Sequence, residues 1–333
     1  MVTPGVHYAA MNRARACVTI LTAVLTAACQ RTSVPKTING VPLLAGVLVP
    51  ASTTMVTAWD VPQNPLTDKS LDDSRLSKDI RWGYKLFTNT PNEAKSFAPG
   101  KMSCANCHLN AGQRERSLPI VAVAGMFPEY NRRSGRLYSL ADRIVDCFWR
   151  SENATGTLSP GEADEGSVHG LPTPTAKEVL AIAAYITWLA RGTPVGKNPA
   201  WRGQNTIDQK ALIPVSKLDK KKGEAIFLER CTSCHGADGQ GVAVADKKPG
   251  PLWGPDSWND GAGASRVYTL AGIIRYAMPH LNPGSLTDEE AQQVAAFITA
   301  KPRPVFPFKG GDYLTEKLPG DAVYYPKRQG AKG

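Results

Sequence analysis

The order of apolar and polar positions along this chain occurs twice. Gly83-Tyr84-Lys85-Leu86-Phe87 in the first half is matched by Gly223-Glu224-Ala225-Ile226-Phe227 in the second. In both, the residues three and four after the glycine are apolar, which predicts a short amphipathic helix. Further on, Thr175-Ala176-Lys177-Glu178 runs into Ile182-Ala183-Ala184-Tyr185-Ile186-Thr187, and Thr287-Asp288-Glu289-Glu290 runs into Val294-Ala295-Ala296-Phe297-Ile298-Thr299. The shared pattern T-x-x-E-x-x-x-Φ-A-A-Φ-I-T, with Φ apolar, predicts a helix that opens on a capping box and buries one face. The small residues Ala183, Ala184, Ala295 and Ala296 are expected where these helices meet others closely. Ser139 and Asp142 form a further predicted capping box, opening a helix that runs through Cys147 towards Ser151.

The stretches outside the repeat divide the chain. Residues 11–29 read as a positive start (Arg13, Arg15) followed by an apolar run from Ala16 to Ala28 too short to span a bilayer. This is an export signal, of the lipoprotein type if Cys29 is the acylated first residue of the mature chain, and otherwise an ordinary leader of a soluble periplasmic product. Residues 1–10 carry no Lys or Arg, so Met11 competes with Met1 as the start. Residues 30–75 are rich in Pro, Thr and Ser and read as a linker, with Trp59 docking on the body. Gly192 to about Lys217 is broken by Gly and Pro and forms a joint. The expected organisation is an export signal over 1–29, a linker over 30–75, one domain over 76–200, a second over 201–305, and a basic Pro-rich tail over 306–333 that wraps the surface, its last residues disordered.

Composition narrows this further. The 333 residues are 42% hydrophobic and 20% charged, values of a globular chain, while 30 Gly and 26 Pro indicate many loops. The formal charge of +10 admits nucleic acid, anionic lipid, an acidic protein or small anions as partners. No nucleic-acid motif or dense basic run is present, and Lys220-Lys221-Lys222 reads as a solvated helix start. A small anionic substrate or an acidic electron-transfer partner fits better.

The seven cysteines carry the chemistry. Cys104-Ala105-Asn106-Cys107-His108 and Cys231-Thr232-Ser233-Cys234-His235 are both C-x-x-C-H, in which two thiols add to haem vinyl groups and the next histidine ligates the iron. Half of a zinc site or a redox dithiol is the competing reading; two copies, each with its own His and with no third pair, argue against it. Two covalent haems and a mainly α fold of two tandem cytochrome c domains follow, each a small helical fold around one haem. Export agrees, because such haem is attached outside the cytoplasm. Cys17 and Cys29 fall in the signal, so Cys147 remains alone.

Each iron then needs a second ligand or an open position, and that choice sets its potential and use. In the second half Met278 lies 43 residues after His235, before the closing helix, with His280 as the competing ligand. Pro251-Leu252-Trp253-Gly254 resembles the loop that covers a haem and positions its histidine, here His235, with an ordinary Pro/Gly turn as the alternative. The first half has no Met in the matching place: Met126 follows His108 by 18 residues, Met102 precedes the motif, and His169 sits in a polar Gly-rich loop. Cys147 follows His108 by 39 residues, near the Met278 spacing, and shares one helix face with Arg143 and Ser151. A neighbouring cation favours thiolate, both a ligand and a nucleophile; a small buried core residue is the alternative. Arg132, Arg133 and Arg136 lie upstream and offer the forked geometry that oxyanions accept.

These residues resemble the dihaem thiosulfate dehydrogenases. The resemblance rests on the two C-x-x-C-H motifs, the segment Asp142-Arg143-Ile144-x-Asp146-Cys147-Phe148 with Arg150-Ser151, the stretch Gly83-Tyr84-x-Leu86-Phe87-Thr88-Asn89-Thr90, and Pro251 to Gly263, and it covers about 78 to 305. It implies that two thiosulfates are joined into tetrathionate, reversibly in some relatives. The first haem would be ligated by His108 and Cys147, with Cys147 as the covalent carrier and Arg133, Arg143 and Ser151 holding substrate. Electrons would leave through a second haem ligated by His235 and Met278 to a small cytochrome or similar acceptor. Ala277, not a lysine, precedes Met278, so no adjacent amine competes for that iron. The rival readings are a non-enzymatic dihaem electron carrier, the haem subunit of a thiosulfate-oxidising multienzyme complex, and a dihaem peroxidase.

Overall fold

The helices form where the apolar periodicity and the capping residues agree. The computed structural model describes residues 37–38, 41–42, 48–156, 170–243 and 247–326. The export signal with Cys17 and Cys29, most of the segment up to residue 47, His169 and the tail beyond residue 326 lie outside them. Helix α1 spans Arg75–Thr88 and starts at Ser74, whose side chain accepts from the Ser77 amide. α2 spans Leu140–Arg150 behind the Ser139/Asp142 capping box, and α3 spans Lys177–Leu189. In the second half α4 is Lys220–Arg230, capped by Asp219, α5 is Val267–Ala277, and α6 is Asp288–Thr299. Among the described residues four short strands, β1 Thr37–Ile38, β2 Val41–Pro42, β3 Glu129–Asn131 and β4 Arg136–Tyr138, form two antiparallel pairs, β1 with β2 and β3 with β4.

The capping pattern holds in one of the two repeated helices. Thr287 is the N-cap of α6, and its box with Glu290 is complete. α3 begins one residue later relative to its threonine, so Ala176 is the cap and makes no side-chain bond. The Thr175 hydroxyl pairs instead with Thr173 at 3.2 Å. The apolar face, not the cap, fixes where α3 starts.

Each half has its own core. Leu86, Phe87, Phe148, Ile182, Tyr185 and Leu189 centre the first; Phe227, Leu270, Ala271, Val294 and Phe297 centre the second. The repeated glycines mark close helix–helix approaches. A Cβ on Gly83 would stand 1.9 Å from the Ala181 carbonyl oxygen, and one on Gly223 2.0 Å from that of Gln293. α1 therefore crosses α3, and α4 crosses α6, backbone to backbone. The alanine pairs lie beside these crossings, while the contact itself is made by glycine on the earlier helix. Gly83→Ala is expected to destabilise by about 1–3 kcal/mol, because the clash is with backbone that cannot rotate away. Gly263→Ala, where an added Cβ meets nothing within 4 Å, should leave the melting temperature almost unchanged in the same experiment.

Both halves belong to one compact unit, Thr37–Gly333. Asn259, fully buried, donates to the Trp149 carbonyl at 2.7 Å, while its amide donates to that of Arg150 at 3.0 Å. The chain after α6 crosses both halves: the Tyr313 amide donates to the Arg133 carbonyl at 2.6 Å, and Asp321 pairs with Arg266 at 2.7 Å. Ahead of α1, Leu48 and Val49 are buried, and Val49 pairs with Arg114 in a parallel bridge.

Candidate functional site

Cys104–Asn106 form one 3₁₀ turn, closed by Ser103, whose amide donates to the Asn106 side-chain oxygen at 2.7 Å. The chain then reverses through Asn110, Ala111 and Gly112, all at positive φ, and Leu118 also stands at φ 52°. Two of these are non-glycine residues held in a disfavoured region within a single turn, a form of strain that the surrounding structure must hold in place. Its result is local and chemical: the Leu118 carbonyl comes back to His108, whose Nδ1–H donates to it at 2.5 Å. That bond fixes the tautomer and leaves Nε2 as the free nitrogen. Burial holds the imidazole pKa down, so the ring is a neutral donor.

His108, Cys104 and Cys107 line a cavity of about 680 Å³. Cys147, Arg143 and Ser151 line it too, so the i, i+4 face of α2 is turned inwards. Met126 is also on the wall, with its sulfur 3.9 Å from the Arg202 guanidinium. Arg133 is not on the wall: its guanidinium donates to the Gly261 carbonyl at 2.8 Å. Arg136 turns outwards to Asp142 at 3.2 Å. Of the upstream arginines expected to complete an anion pocket, neither of these two presents its fork there, because each is taken by a carbonyl or carboxylate.

The electrostatics of Cys147 differ from the sequence expectation. Burial pushes its thiol up, and Arg143, the strongest opposing influence, offsets this only in part. Arg143 itself is divided between the cavity and Asp146, which its Nη1 approaches to 3.2 Å. Thiolate at Cys147 therefore needs more than one arginine, and a bound metal is the influence that deprotonates a coordinating thiol outright. Sequence reasoning did not single out Glu152, Arg202 or Arg266, all on the cavity wall. Burial drives the Glu152 carboxyl up to about 8, and its Oε2 has no hydrogen-bond partner. No periodicity marks it, since it follows the end of α2.

In the second half Cys231 ends α4, and Thr232–His235 form one further turn. His235 is held neutral by burial, its pKa lowered to about 4, and its Nδ1 is buried without a partner. In the Pro251–Gly254 loop the Leu252 amide donates to the Gly239 carbonyl at 2.8 Å, and the loop does not pair with that Nδ1. Met278 follows α5 directly, its amide closing the last turn on Ile274 at 3.2 Å. Among the described residues no group of three or more His, Cys, Asp and Glu is arranged to hold a metal alone.

Residues 93–195 match the family model "SoxA/TsdA, cytochrome c domain", and residues 219–298 match "Cytochrome C oxidase, cbb3-type, subunit III". A thiosulfate dehydrogenase from Allochromatium vinosum is 37% identical over 281 residues, covering 81% of this chain and 93% of that one. The chain belongs to the thiosulfate dehydrogenase family. Another thiosulfate dehydrogenase, from Stutzerimonas stutzeri, is 33% identical and covers 73% of each chain. A solved thiosulfate dehydrogenase (TsdBA) from Marichromatium purpuratum superposes with a TM-score of 0.62 at 34% identity, covering 72% of this chain and 49% of that chain, so this chain spans about half of it. The protein is thus an oxidoreductase built of two cytochrome c domains.

Domains of this kind carry covalent haem c, and the residues present fit it. The first half offers two thiols, a histidine with Nε2 free and a cavity between them and α2. The second offers two thiols and a buried neutral imidazole with an orphaned ring nitrogen. Among the described residues no helix is long and apolar enough to cross a membrane.

Proposed function

We propose that this chain oxidises thiosulfate to tetrathionate outside the cytoplasm and passes the electrons to an external cytochrome or similar redox protein. What carries the reading is one cavity whose wall holds Cys104, Cys107 and His108 together with Cys147, Arg143 and Ser151. The relatives named as thiosulfate dehydrogenases support the substrate. In this reading Cys104 and Cys107 would attach the first haem and His108 and Cys147 would hold its iron, and Cys231, Cys234, His235 and Met278 would serve the second in the same roles. The chain is exported, and it is held at the membrane where Cys29 is acylated.

When bound, the haems supply one-electron acceptance, two electrons in all for each tetrathionate formed. The Cys147 sulfur bonds the sulfane sulfur of one thiosulfate, and two electrons leave as the Cys147–S–SO₃⁻ adduct forms. The sulfane sulfur of a second thiosulfate then attacks the sulfur held by Cys147. The bond to Cys147 breaks, thiolate is regenerated, and tetrathionate leaves with the new S–S bond. No proton is taken up: two dianions become one dianion and two electrons. Covalent capture separates the encounters of the two dianions into two steps. Arg143 at the wall, and Arg133 whose charge also acts on Cys147, offset the negative charge gathered there; Ser151 adds a hydroxyl donor. The same steps in reverse reduce tetrathionate.

The test is to mix the purified, air-oxidised protein with thiosulfate, follow haem reduction by absorption and quantify the product. Haem reduction with one tetrathionate for every two thiosulfates consumed is expected. A protein whose haems are reduced by dithionite but not by thiosulfate would be an electron carrier instead.

A further inference from the structure

His280, two residues after Met278, is the histidine nearest in sequence to the second iron's proposed ligand, and it does not stand free. Arg114, from the turn that follows the first C-x-x-C-H, is fully buried and reaches across to it. Its Nη1 lies 2.7 and 2.9 Å from the two ring nitrogens. Its Nη2 donates to the His280 carbonyl at 2.6 Å, the Ala51 carbonyl at 2.9 Å and the Thr53 hydroxyl at 3.1 Å. The Trp59 ring stacks on the imidazole with centroids 4.4 Å apart and planes at 27°. One side chain thus binds both the ring and the backbone of the residue after Pro279.

The segment that supplies Ala51, Thr53 and Trp59 is tied to the same turn. The Val49 amide donates to the Gln113 carbonyl at 2.7 Å, and the Glu115 amide to the Val49 carbonyl at 2.9 Å. The Asn110 side chain donates to the Ala58 carbonyl at 3.0 Å. The Gln113 side chain exchanges two bonds of 2.9 Å with the Gln63 backbone. Residues 48–63 lie outside both family-model matches. They and Arg114 form a bracket that starts at the first haem motif and closes on the Met278 loop.

We propose that Arg114 is a positioning residue for the second haem: it holds His280 away from that iron, so that Met278 is the ligand. With its Nη1 2.7 and 2.9 Å from the two ring nitrogens, Arg114 can donate to whichever of them carries the lone pair, the atom through which a neutral His280 would ligate. The carbonyl bond and the Trp59 stack prevent the loop from turning the ring elsewhere. The consequence is electronic. A thioether ligand raises a haem potential relative to a second imidazole, so the bracket keeps the second haem a downhill acceptor for electrons from the first. The proposal rests on the reading of Met278 as ligand.

The experiment compares the ligation of the second haem in the holoprotein of the wild type, Arg114→Gln, Trp59→Ala, His280→Asn and the double variant Arg114→Gln/His280→Asn. The readouts are the thioether-to-ferric-iron charge-transfer band and the redox titration of that haem. Arg114→Gln is expected to lose about half or more of the band, with a low-potential bis-imidazole component appearing in its place. The double variant should recover the band, which a merely structural role of Arg114 would not allow, and His280→Asn alone should keep it. Because Arg114 is buried and its loss could impair folding, Trp59→Ala gives a second route: its ring is 41% exposed, and the same change should occur to a smaller extent. Arg114→Gln and Trp59→Ala with the wild-type band and potential would overturn the proposal, as would loss of the band in Arg114→Gln that the double variant does not restore. If Arg114→Gln does not fold, an unchanged band in Trp59→Ala overturns it. A wild type that already shows bis-imidazole ligation would overturn the reading of Met278, and this proposal with it.

Discussion

Cys147→Ala is expected to abolish tetrathionate formation, lowering turnover on the order of 10³-fold or more, the scale of losing a covalent nucleophile. Both haems should stay attached, because Cys104, Cys107, Cys231 and Cys234 are untouched, and dithionite should still reduce both. The electronic spectrum should lose its thiolate character at the first haem only. This combination separates catalysis from packing. Cys147 lies on a cavity wall, so truncating it to alanine leaves little new void against the core, and the cost in stability should be small beside the cost in rate. Met102 and Met126 line the same cavity, and a thioether band appearing at the first haem of the variant would show a methionine taking the place proposed for Cys147. Thiosulfate turnover at the wild-type rate by Cys147→Ala would make Cys147 a core residue and move the chemistry elsewhere.

What the sequence shows of this molecule is what it writes locally. The C-x-x-C-H motifs need only five consecutive residues. The inward face of α2 is a four-residue repeat, so Arg143, Cys147 and Ser151 could be placed together before any tertiary contact was known. The repeated glycines announce themselves by position, although their reason, a carbonyl of another helix about 2 Å from where a Cβ would sit, is tertiary. The failures have the same origin. Thr175 and Thr287 look alike in sequence, but packing starts α3 one residue later and leaves only Thr287 as a cap. Arg133 lies off the cavity wall, its Nη1 donating to the Gly261 carbonyl, a placement that no local pattern shows. Arg114 carries no motif at all; its meaning is a contact with His280, 166 residues away in the chain. The balance at Cys147 was illegible for another reason: helix spacing shows the arginine but not the burial that opposes it.

Asp312→Ala is expected to cost about 3–5 kcal/mol, the scale of leaving a buried charge without its partner. Arg150 ends the helix that carries Cys147, and only 6% of its side chain is exposed. Its two terminal nitrogens donate to the two carboxylate oxygens of Asp312 at 2.7 and 2.8 Å, its Nε donates to Asp146 at 2.6 Å, and its guanidinium lies 4.1 Å over the Phe306 ring. Asp312 and Phe306 both belong to the chain after α6. That stretch therefore supplies a carboxylate to the helix that carries Cys147, and at Tyr313 it also bonds the Arg133 carbonyl. Removing the carboxylate leaves Arg150 buried with Asp146 as its remaining carboxylate partner and the Gly261 carbonyl beside it, and the melting temperature should fall on the order of 10 °C. The same network gives a signed pH dependence. Burial raises the Asp146 carboxyl, but Arg150 and Arg143 outweigh it and hold its pKa below the ordinary 3.8. The stabilisation from this group is complete above that unfolded value and is lost as pH falls through the lower folded one. Acidification below about 3.8 should thus lower the wild-type melting temperature steeply, and Asp146→Asn should flatten that acid limb. An Asp312→Ala protein that melts within a degree or two of wild type near neutral pH would show that water, rather than the tail, is the partner Arg150 relies on.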